Sequence, residues 1–345
     1  MTAAVGANGP RPPQRFVGTM EPRVAGRGRP EERPMVDLLP EARELDSIRS
    51  DPAEAARYGF GSVAELALAV GVKRAIADGD VERLRGLVAG RPEVAGGGMS
   101  SRFAGSTGAC LLNYLGAARF HGILDHDRVG GVARVLLAAG APADGPADVR
   151  ETPLITAASY GEVELARVLV DAGADLRAVG YAVAGGTALA HAVEYGNTDV
   201  ADLLVAAGAE PAGVVEAAGA GDLGPVREQW SDATAAQRVL ALRAAAVNGR
   251  SAVVDWVVSN GVAVDDSVDG SGQTALHWAA WHGKPESVAH LLALGADPGR
   301  TEAEFGGTPL AWCRHRRAQV EVYRASAGHA AVEAVLLSLA DPDVT

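Results

Sequence analysis

The sequence predicts an all-α solenoid of stacked helix pairs with short β-hairpin or loop connections, and three observations predict it. Four segments align: Glu151–Leu176 ("ETPLITAASYGEVELARVLVDAGADL"), Gly186–Pro211, Gln273–Pro298 ("QTALHWAAWHGKPESVAHLLALGADP") and the shorter Gly307–Gln319. Their threonines, Thr152, Thr187, Thr274 and Thr308, are 35 residues apart in the first pair and 34 in the last, a period that marks a repeat architecture. Each unit begins on Thr followed by Pro or Ala, a helix cap and a first turn whose amides have no intrahelical partner. Each full unit then breaks at a glycine (Gly161, Gly196, Gly283) and closes on an "LLxxGAD"-like stretch, a helix ended by a glycine cap. One such pair cannot bury its apolar face alone, so neighbours must stack.

Taken in order, residues 1–36 are rich in Pro, Gly and Arg and lack a hydrophobic period, so they are expected to be a disordered tail. Alternatively, translation starts at Met20 or Met35, because "MVDLLPEARELDSI" reads as a more natural beginning. Residues 37–67 read as a helical lead-in and 68–340 as the solenoid, about seven to eight units. "KRAIADGDVERLRGLVAGRPEVA" and "RVGGVARVLLAAGAPAD" supply two upstream units. "VVEAAGAGDLGPVREQW" and "LRAAAVNGRSAVVDWVVSNGVAV" supply two short or degenerate ones in the middle.

These segments resemble ankyrin repeats over roughly residues 68–340, most closely in "TALHWAAWHG" with "HLLALGADP". "AARYGFGSVAEL" (Ala55–Leu66) is similar to the helical lead-in of many bacterial ankyrin proteins. The resemblance implies first helices lining a concave surface, hairpin fingers at one edge, and protein recognition without catalysis. Two departures are expected: an irregular insertion at Ala109–Asp127 with a poor first helix, and a Val214 unit too close to its predecessor to keep a full finger.

Composition narrows the function. The net charge is −12, and residues 1–36 carry six Arg and three Glu, so the remainder is more acidic still. That argues against a nucleic-acid-binding face. The chain has only two lysines, Lys73 and Lys284, against 29 arginines, a bias suggesting a high-GC bacterial genome. Cys110 and Cys313 form no CxxC pattern, which suggests a reducing compartment and free thiols. No apolar run is long enough for a membrane span and the N-terminus has no signal-peptide core. A cytoplasmic monomer without cofactor or metal is expected.

Motifs that resemble chemistry read as structure. "GAGDLG" (Gly219–Gly224) matches GxGxxG, but a dinucleotide site needs a preceding strand, and here a helix precedes it. His277 sits at the family's usual "TPLH" position and reads as structural. Cys313 and His315 are two apart on one helix, poor metal spacing. His121 and His126 lack an evident third ligand.

Residues at i, i+3 and i+4 share a helix face. Aligning Thr and Gly in each unit places one row on the groove. It comprises Thr156, Ser159, Tyr160; His191, Glu194, Tyr195; Glu216, Gly219, Ala220; Ala244, Val247, Asn248; Trp278, Trp281, His282; and Trp312, His315, Arg316. Three of the five tryptophans fall on this row. Aromatics at helical spacing are usually core, but Leu276, Ala279 and Ala280 already fill the core positions of the Trp repeat. Trp256 reads as a buried second-helix residue and Trp230 as core or cap. The small middle units predict a ligand-sized hollow between a His191–Glu194–Tyr195 wall and a wall of Trp278, Trp281, His282 and Trp312, with Glu216 on its floor.

Two function classes follow. In the first, the aromatic groove recognises a protein partner, one with a basic patch given the acidic body; Trp, Tyr and Arg dominate interface hot spots. In the second, the groove holds an apolar small molecule or is a cofactor-independent enzyme. Glu216, desolvated, would act as general acid or base. His191 and His282 would share the proton transfer, and Tyr195 would donate to an enolate oxygen. Dehydration, isomerisation or addition-type cyclisation of a long apolar carbonyl compound would fit. The bland finger tips "VGYAVAGG" and "VDDSVDGSGQ" favour the groove over the tips as the contact surface.

Overall fold

The computed structural model describes residues 51–57, 60–96, 110–118, 124–147, 151–180, 186–321 and 327–338. The expected tail at 1–36 and most of the lead-in before Asp51 lie outside the described residues. The described residues form helices joined by turns and loops, and no strand occurs among them. The helices are α1 (Pro52–Arg57), α2 (Val63–Ala77), α3 (Val81–Val88), α4 (Pro92–Ala95), α5 (Leu111–Ala118) and α6 (His126–Ala138). They continue as α7 (Pro153–Tyr160), α8 (Val163–Asp171), α9 (Ala188–Glu194), α10 (Thr198–Ala206), α11 (Val214–Ala220) and α12 (Leu223–Gln229). The last six are α13 (Ala235–Val247), α14 (Ser251–Ser259), α15 (Ala275–Trp281), α16 (Pro285–Ala293), α17 (Pro309–Glu321) and α18 (Ala327–Ser338). From α5 onward the odd-numbered helices pack one on the next as an inner row. The outer row runs α3, α6, α8, α10 and resumes with α16 on α18.

The repeat's local chemistry works as the residues dictate. The Thr152 hydroxyl accepts from the Ile155 amide at 3.3 Å, and Thr187 accepts from Ala190 at 3.1 Å, satisfying orphan amides at the starts of α7 and α9. Gly161 and Gly196 then turn each chain with φ +73° and +66°, the left-handed region where a side chain is strained. His277 is held at both nitrogens. Its Nδ1 lies 2.9 Å from the Thr274 hydroxyl, and its Nε2 donates to the Gly307 carbonyl at 3.1 Å, tying α15 to the loop before α17. The apolar core forms two clusters, one running from Ala55 to Ala209 with Ala244, the other from Val214 to Leu336. They meet where α9, α11 and α13 pack together.

Three details differ from the sequence expectation. The segment after Ala109 is not a poor helix: α5 is an ordinary member of the inner row. Cys110 stands where the other units have Thr, and Asn113 ties down the helix start instead: its side-chain oxygen accepts from the Cys110 amide at 3.3 Å, while its nitrogen donates to the Glu151 carbonyl at 2.7 Å and the Thr156 hydroxyl at 2.9 Å. Residues 119–123, within the same insertion, lie outside the described residues. Among the described residues the connections take the loop form of the two expected rather than the hairpin form; the one after Glu302 is closed by Glu302 N–H to the Gly307 carbonyl at 3.2 Å and Gly306 N–H to the Glu302 carbonyl at 3.1 Å. Trp256, expected to be buried, is only half-buried; it packs edge to face at 5.0 Å on Trp230, which caps the C-terminus of α12 as one of its two expected roles had it, and Arg227 and Arg238 lie over the rings.

The middle of the stack is drawn together. A Cβ on Gly219 would lie 2.3 Å from the Cγ1 of Val193, so α11 seats directly on α9. The Asn248 amide donates to the Val193 carbonyl at 2.8 Å. Lys284, after α15, donates to the Gly196 carbonyl at 2.8 Å and the Thr198 hydroxyl at 3.3 Å, after α9. Inner helices at ordinary spacing would separate α9 from α15 by about 24–30 Å. A lysine side chain cannot span that, so the C-terminal ends of these helices converge.

Candidate interaction surface

This convergence removes the hollow that the small-residue units predicted. The two walls meet through Arg243 of α13. Its guanidinium donates to both carboxylate oxygens of Glu194, at 2.7 and 3.0 Å, while its central carbon lies 4.8 Å from the Trp278 ring centroid. The reason is steric. Glycine and alanine in the middle helices do not leave space; they let the neighbouring helices approach.

The four residues expected to do acid–base chemistry are engaged separately. Glu216 is buried near the N-terminal ends of α9 and α11, where its carboxylate accepts from the Thr187 hydroxyl at 3.1 Å and the Ala212 amide at 2.7 Å. Burial pushes its carboxyl up, against those two hydrogen bonds. His191 is buried too; its Nδ1 is bonded to the Ser159 hydroxyl at 2.8 Å, and its ring tilts against Tyr195 at 6.1 Å. Tyr195 is half-buried, and burial with the nearby Glu194 raises its phenol. His282 lies beyond α13, beside Gly196 and stacked with Trp278 at 6.3 Å. Glu216 thus serves as a brace between two helix starts, one helix length from the Tyr195 end of α9. Asn248, expected on the groove, is buried, donating to the Val193 and Ala244 carbonyls. Tyr160 is half-buried, its phenol raised by burial and by Glu151.

The tryptophan row assembles as one bed. Leu276, Ala279 and Ala280 are fully buried, whereas Trp278, Trp281 and Trp312 are each half-buried, with part of the ring open to solvent. Trp312 sits at the hub, edge-on to Trp278 at 5.4 Å, to Trp281 at 5.7 Å and to His277 at 5.4 Å. Edge-to-face pairs of this kind contribute about 0.5–1.5 kcal/mol each beyond area burial, so the rings are held in place. His315 stacks on Trp281 at 6.1 Å, and the Arg316 guanidinium lies 5.1 Å from the same ring.

Residues that the sequence reading missed complete the surface. Glu302 is buried, and its carboxylate accepts from the amides of Glu304, Phe305 and Gly307 at 2.7, 2.9 and 3.1 Å and from the Trp312 side chain. Burial would raise this carboxyl, but the hydrogen bonds outweigh it and hold it below the usual carboxylate range. The same carboxylate therefore fixes Trp312 and the turn presenting Phe305, which is 77 % exposed. That turn, "EAEFGG", is the finger whose tip carries a large contact residue. Arg243 escaped detection because it lies one residue before the aligned groove position at Ala244. Lys284 escaped because it follows the helix break rather than lying on a helix face.

Cationic side chains lie beside the bed and lower His282. Arg243, Lys284, Arg316 and His329 surround His282; together with burial, the leading cause, they push its imidazole down to about 3. Burial also lowers Arg316 and Lys284. Beyond them, Arg314 and Arg317 share Glu333 at 2.7 and 2.8 Å.

Among known families, residues 128–212 and 218–302 match the model described as ankyrin repeats (3 copies). A palmitoyltransferase of Lachancea kluyveri, AKR1, is 40% identical over 68 residues, 20% of this chain and 9% of that protein. The rice (Oryza sativa subsp. japonica) calmodulin-binding transcription activator CBT is 61% identical over 33 residues, 10% of this chain and 4% of that protein. The chain therefore spans less than a tenth of each of these relatives. Among solved structures, the human ASB11 ankyrin repeat domain aligns with 66% of this chain and 98% of its own length, at 23% identity and a TM-score of 0.30.

Proposed function

We infer that this chain, an all-α ankyrin-repeat solenoid, is a protein-recognition module that binds its partner on the inner-helix face of α15 and α17. The observation that carries this reading is the bed of Trp278, Trp281 and Trp312, only partly buried, mutually packed and continued by the exposed Phe305. Large rings held in fixed positions bind with little loss of side-chain freedom, and exposed aromatic patches mark interaction sites. The finger after Glu302 joins the groove in this reading, in place of the expected groove alone.

The geometry favours binding over acid–base catalysis of a carbonyl compound in the same groove. Glu216 is committed to Thr187 and Ala212, and Arg243 bridges the space a substrate would fill. We place the module in a reducing compartment, since Cys110 and Cys313 are both buried free thiols. No helix among the described residues is long and apolar enough to cross a membrane.

The test is capture from host extract on immobilised full-length protein, followed by native mass spectrometry, comparing wild type with Trp278→Ala/Trp281→Ala. A protein retained by the wild type and lost from a still-helical double variant is the expected result. A partner retained equally by both would place the contact elsewhere and sink the reading. A retained small molecule lost from the variant would replace it with the ligand-binding one.

A further inference from the structure

Two asparagine–glycine pairs stand at helix ends among the described residues, Asn248–Gly249 after α13 and Asn260–Gly261 after α14. A third, Asn8–Gly9, lies outside the described residues. Such a pair carries a reaction of its own. The glycine amide nitrogen can attack the asparagine side-chain carbonyl carbon, and with no Cβ beside it the approach is open. The new N–Cγ bond closes a five-membered succinimide, the Cγ–Nδ2 bond breaks, and the leaving nitrogen takes up the amide proton and departs as ammonia. Water then opens the ring at either carbonyl. The product is aspartate or, with the main chain routed through the side chain, isoaspartate. Asparagine and water become an acid and ammonia, and neither an oxidant nor a cofactor is needed.

The backbone does not distinguish the two pairs. Asn248 has φ −100° and ψ 9°, and Asn260 has φ −100° and ψ 25°. Both glycines are left-handed, at φ +70° and +94°, with open space where a Cβ would stand. Both attacking amides are bonded at 3.2 Å, Gly249 to the Ala246 carbonyl and Gly261 to the Val258 carbonyl. Either reaction therefore waits for its helix end to open, and the cost of opening is what differs. Asn248 is 1 % exposed, and its side-chain nitrogen donates to the Val193 carbonyl of α9 as well as to Ala244. Arg250, two residues on, donates to the Gly219 carbonyl of α11 and to Asp202 of α10. Opening there parts α13 from its neighbours. Asn260 is exposed together with Ser259 and Gly261. Its side-chain nitrogen bonds within its own last turn, to the Trp256 carbonyl at 2.7 Å and the Ser259 hydroxyl at 3.3 Å. An exposed last turn opens at little cost in free energy.

We infer that Asn260 is a site of spontaneous deamidation in the folded protein, and that Asn248, in the same dipeptide, is kept from it by the seam between α13 and α9. The product at position 260 lacks the amide donor to Trp256. It also sets a carboxylate at the C-terminal end of α14, where the helix dipole disfavours negative charge. The change is one-way. It falls on the helix that carries Trp256, whereas the tryptophan bed belongs to α15 and α17.

The experiment incubates full-length protein at mildly alkaline pH in water enriched in heavy oxygen, either folded in buffer or unfolded in guanidinium chloride. Trypsin cleavage after Arg250 puts the two asparagines on separate peptides, and the incorporated oxygen marks conversion during the incubation by mass spectrometry. In the folded protein Asn260 should convert at least about tenfold faster than Asn248, the ratio set by a modest difference in opening cost. In denaturant the two should convert at similar rates. Asn260 no faster than Asn248 in the folded protein would overturn the inference, whether neither converts or both do. A difference that persists undiminished in denaturant would trace it to sequence neighbours and overturn the role given to the seam.

Discussion

The contact between α11 and α9 gives a sharp test of how the middle repeats are built. Gly219 lies inside α11, in helical conformation, where alanine is the better helix former by about 1 kcal/mol. On propensity alone, Gly219→Ala stabilises the chain. The structure gives the opposite sign. The added Cβ would meet Val193 at 2.3 Å from Cγ1, 3.1 Å from Cγ2 and 3.2 Å from Cβ, so no rotation of that side chain relieves it. Val193 is itself buried, and α11 must move off α9 by about 1 Å to restore ordinary contact. Overpacking of a closed core costs about 1–3 kcal/mol. After the propensity gain, a net loss of about 1–2 kcal/mol remains. Urea unfolding followed by circular dichroism and tryptophan emission measures it. The double variant Gly219→Ala/Val193→Ala supplies the control: removing the obstructing methyls should make the alanine at 219 neutral or favourable relative to Val193→Ala alone. A Gly219→Ala chain more stable than wild type would show that α11 does not seat on α9 this way, and the account of the missing hollow would fall with it.

Other outcomes follow from the same geometry. Lys284→Met should lower stability by about 1–3 kcal/mol in the same titration, because it leaves the Gly196 carbonyl without its charged donor; an unchanged midpoint would mean the convergence of α9 and α15 does not depend on this link. Glu302→Gln should cost about 1–3 kcal/mol near neutral pH, since an amide nitrogen would face amide donors. The sign of the pH dependence is fixed by the depressed native carboxyl. Its stabilisation is present above the unfolded-state value, about 4.3, and is lost as pH falls through the lower native one, so wild type and Glu302→Gln should converge in strong acid. Glu333, held below its usual range mainly by Arg314, adds to the same acid sensitivity. Glu216, raised by burial, works the other way: its contribution is present below its unfolded value and lost as pH rises through the native one. Acid unfolding followed at several pH values should therefore change Trp312 emission early; coincident loss of all helical signal, independent of Glu302, would contradict this.

The parts of the fold governed by local chemistry were legible in the sequence. Thr152, Thr187 and Thr274 start helices, Gly161 and Gly196 turn them, helical spacing puts Trp278 and Trp281 on one face, and the 34-residue period that separates Thr274 from Thr308 brings Trp312 into the same row. What depends on distance through space was not. Nothing in "LLNYLGAA" announces that Asn113 will tie its helix to the next repeat through Glu151 and Thr156. Small residues at Gly219, Ala220 and Ala244 read equally as a cavity or as close packing, and only Val193 and Asn248 across the interface decide for packing. For the same reason Glu216 reads as a poised acid in one dimension and as a brace between helix starts in three. The cations around the bed were hidden because Arg243, Lys284 and Arg316 come from three different stretches of the chain, and none forms a basic run with the others.

The two lysines carry a consequence of their own. Lys73 is 1 % exposed and Lys284 is half-buried between the α9 and α15 ends. Burial lowers both amines, Lys73 to about 8, and the same burial keeps reagents away, so each reacts as an ordinary amine only when its seam opens. With every other cationic side chain except the histidines an arginine, the folded repeats offer acylating reagents, amine crosslinkers and lysine-modifying enzymes almost nothing to attack. Acylation at either position then becomes a clock for the opening of its own seam. A two-site mass-spectrometric time course would show whether the Lys73 and Lys284 seams breathe together or apart.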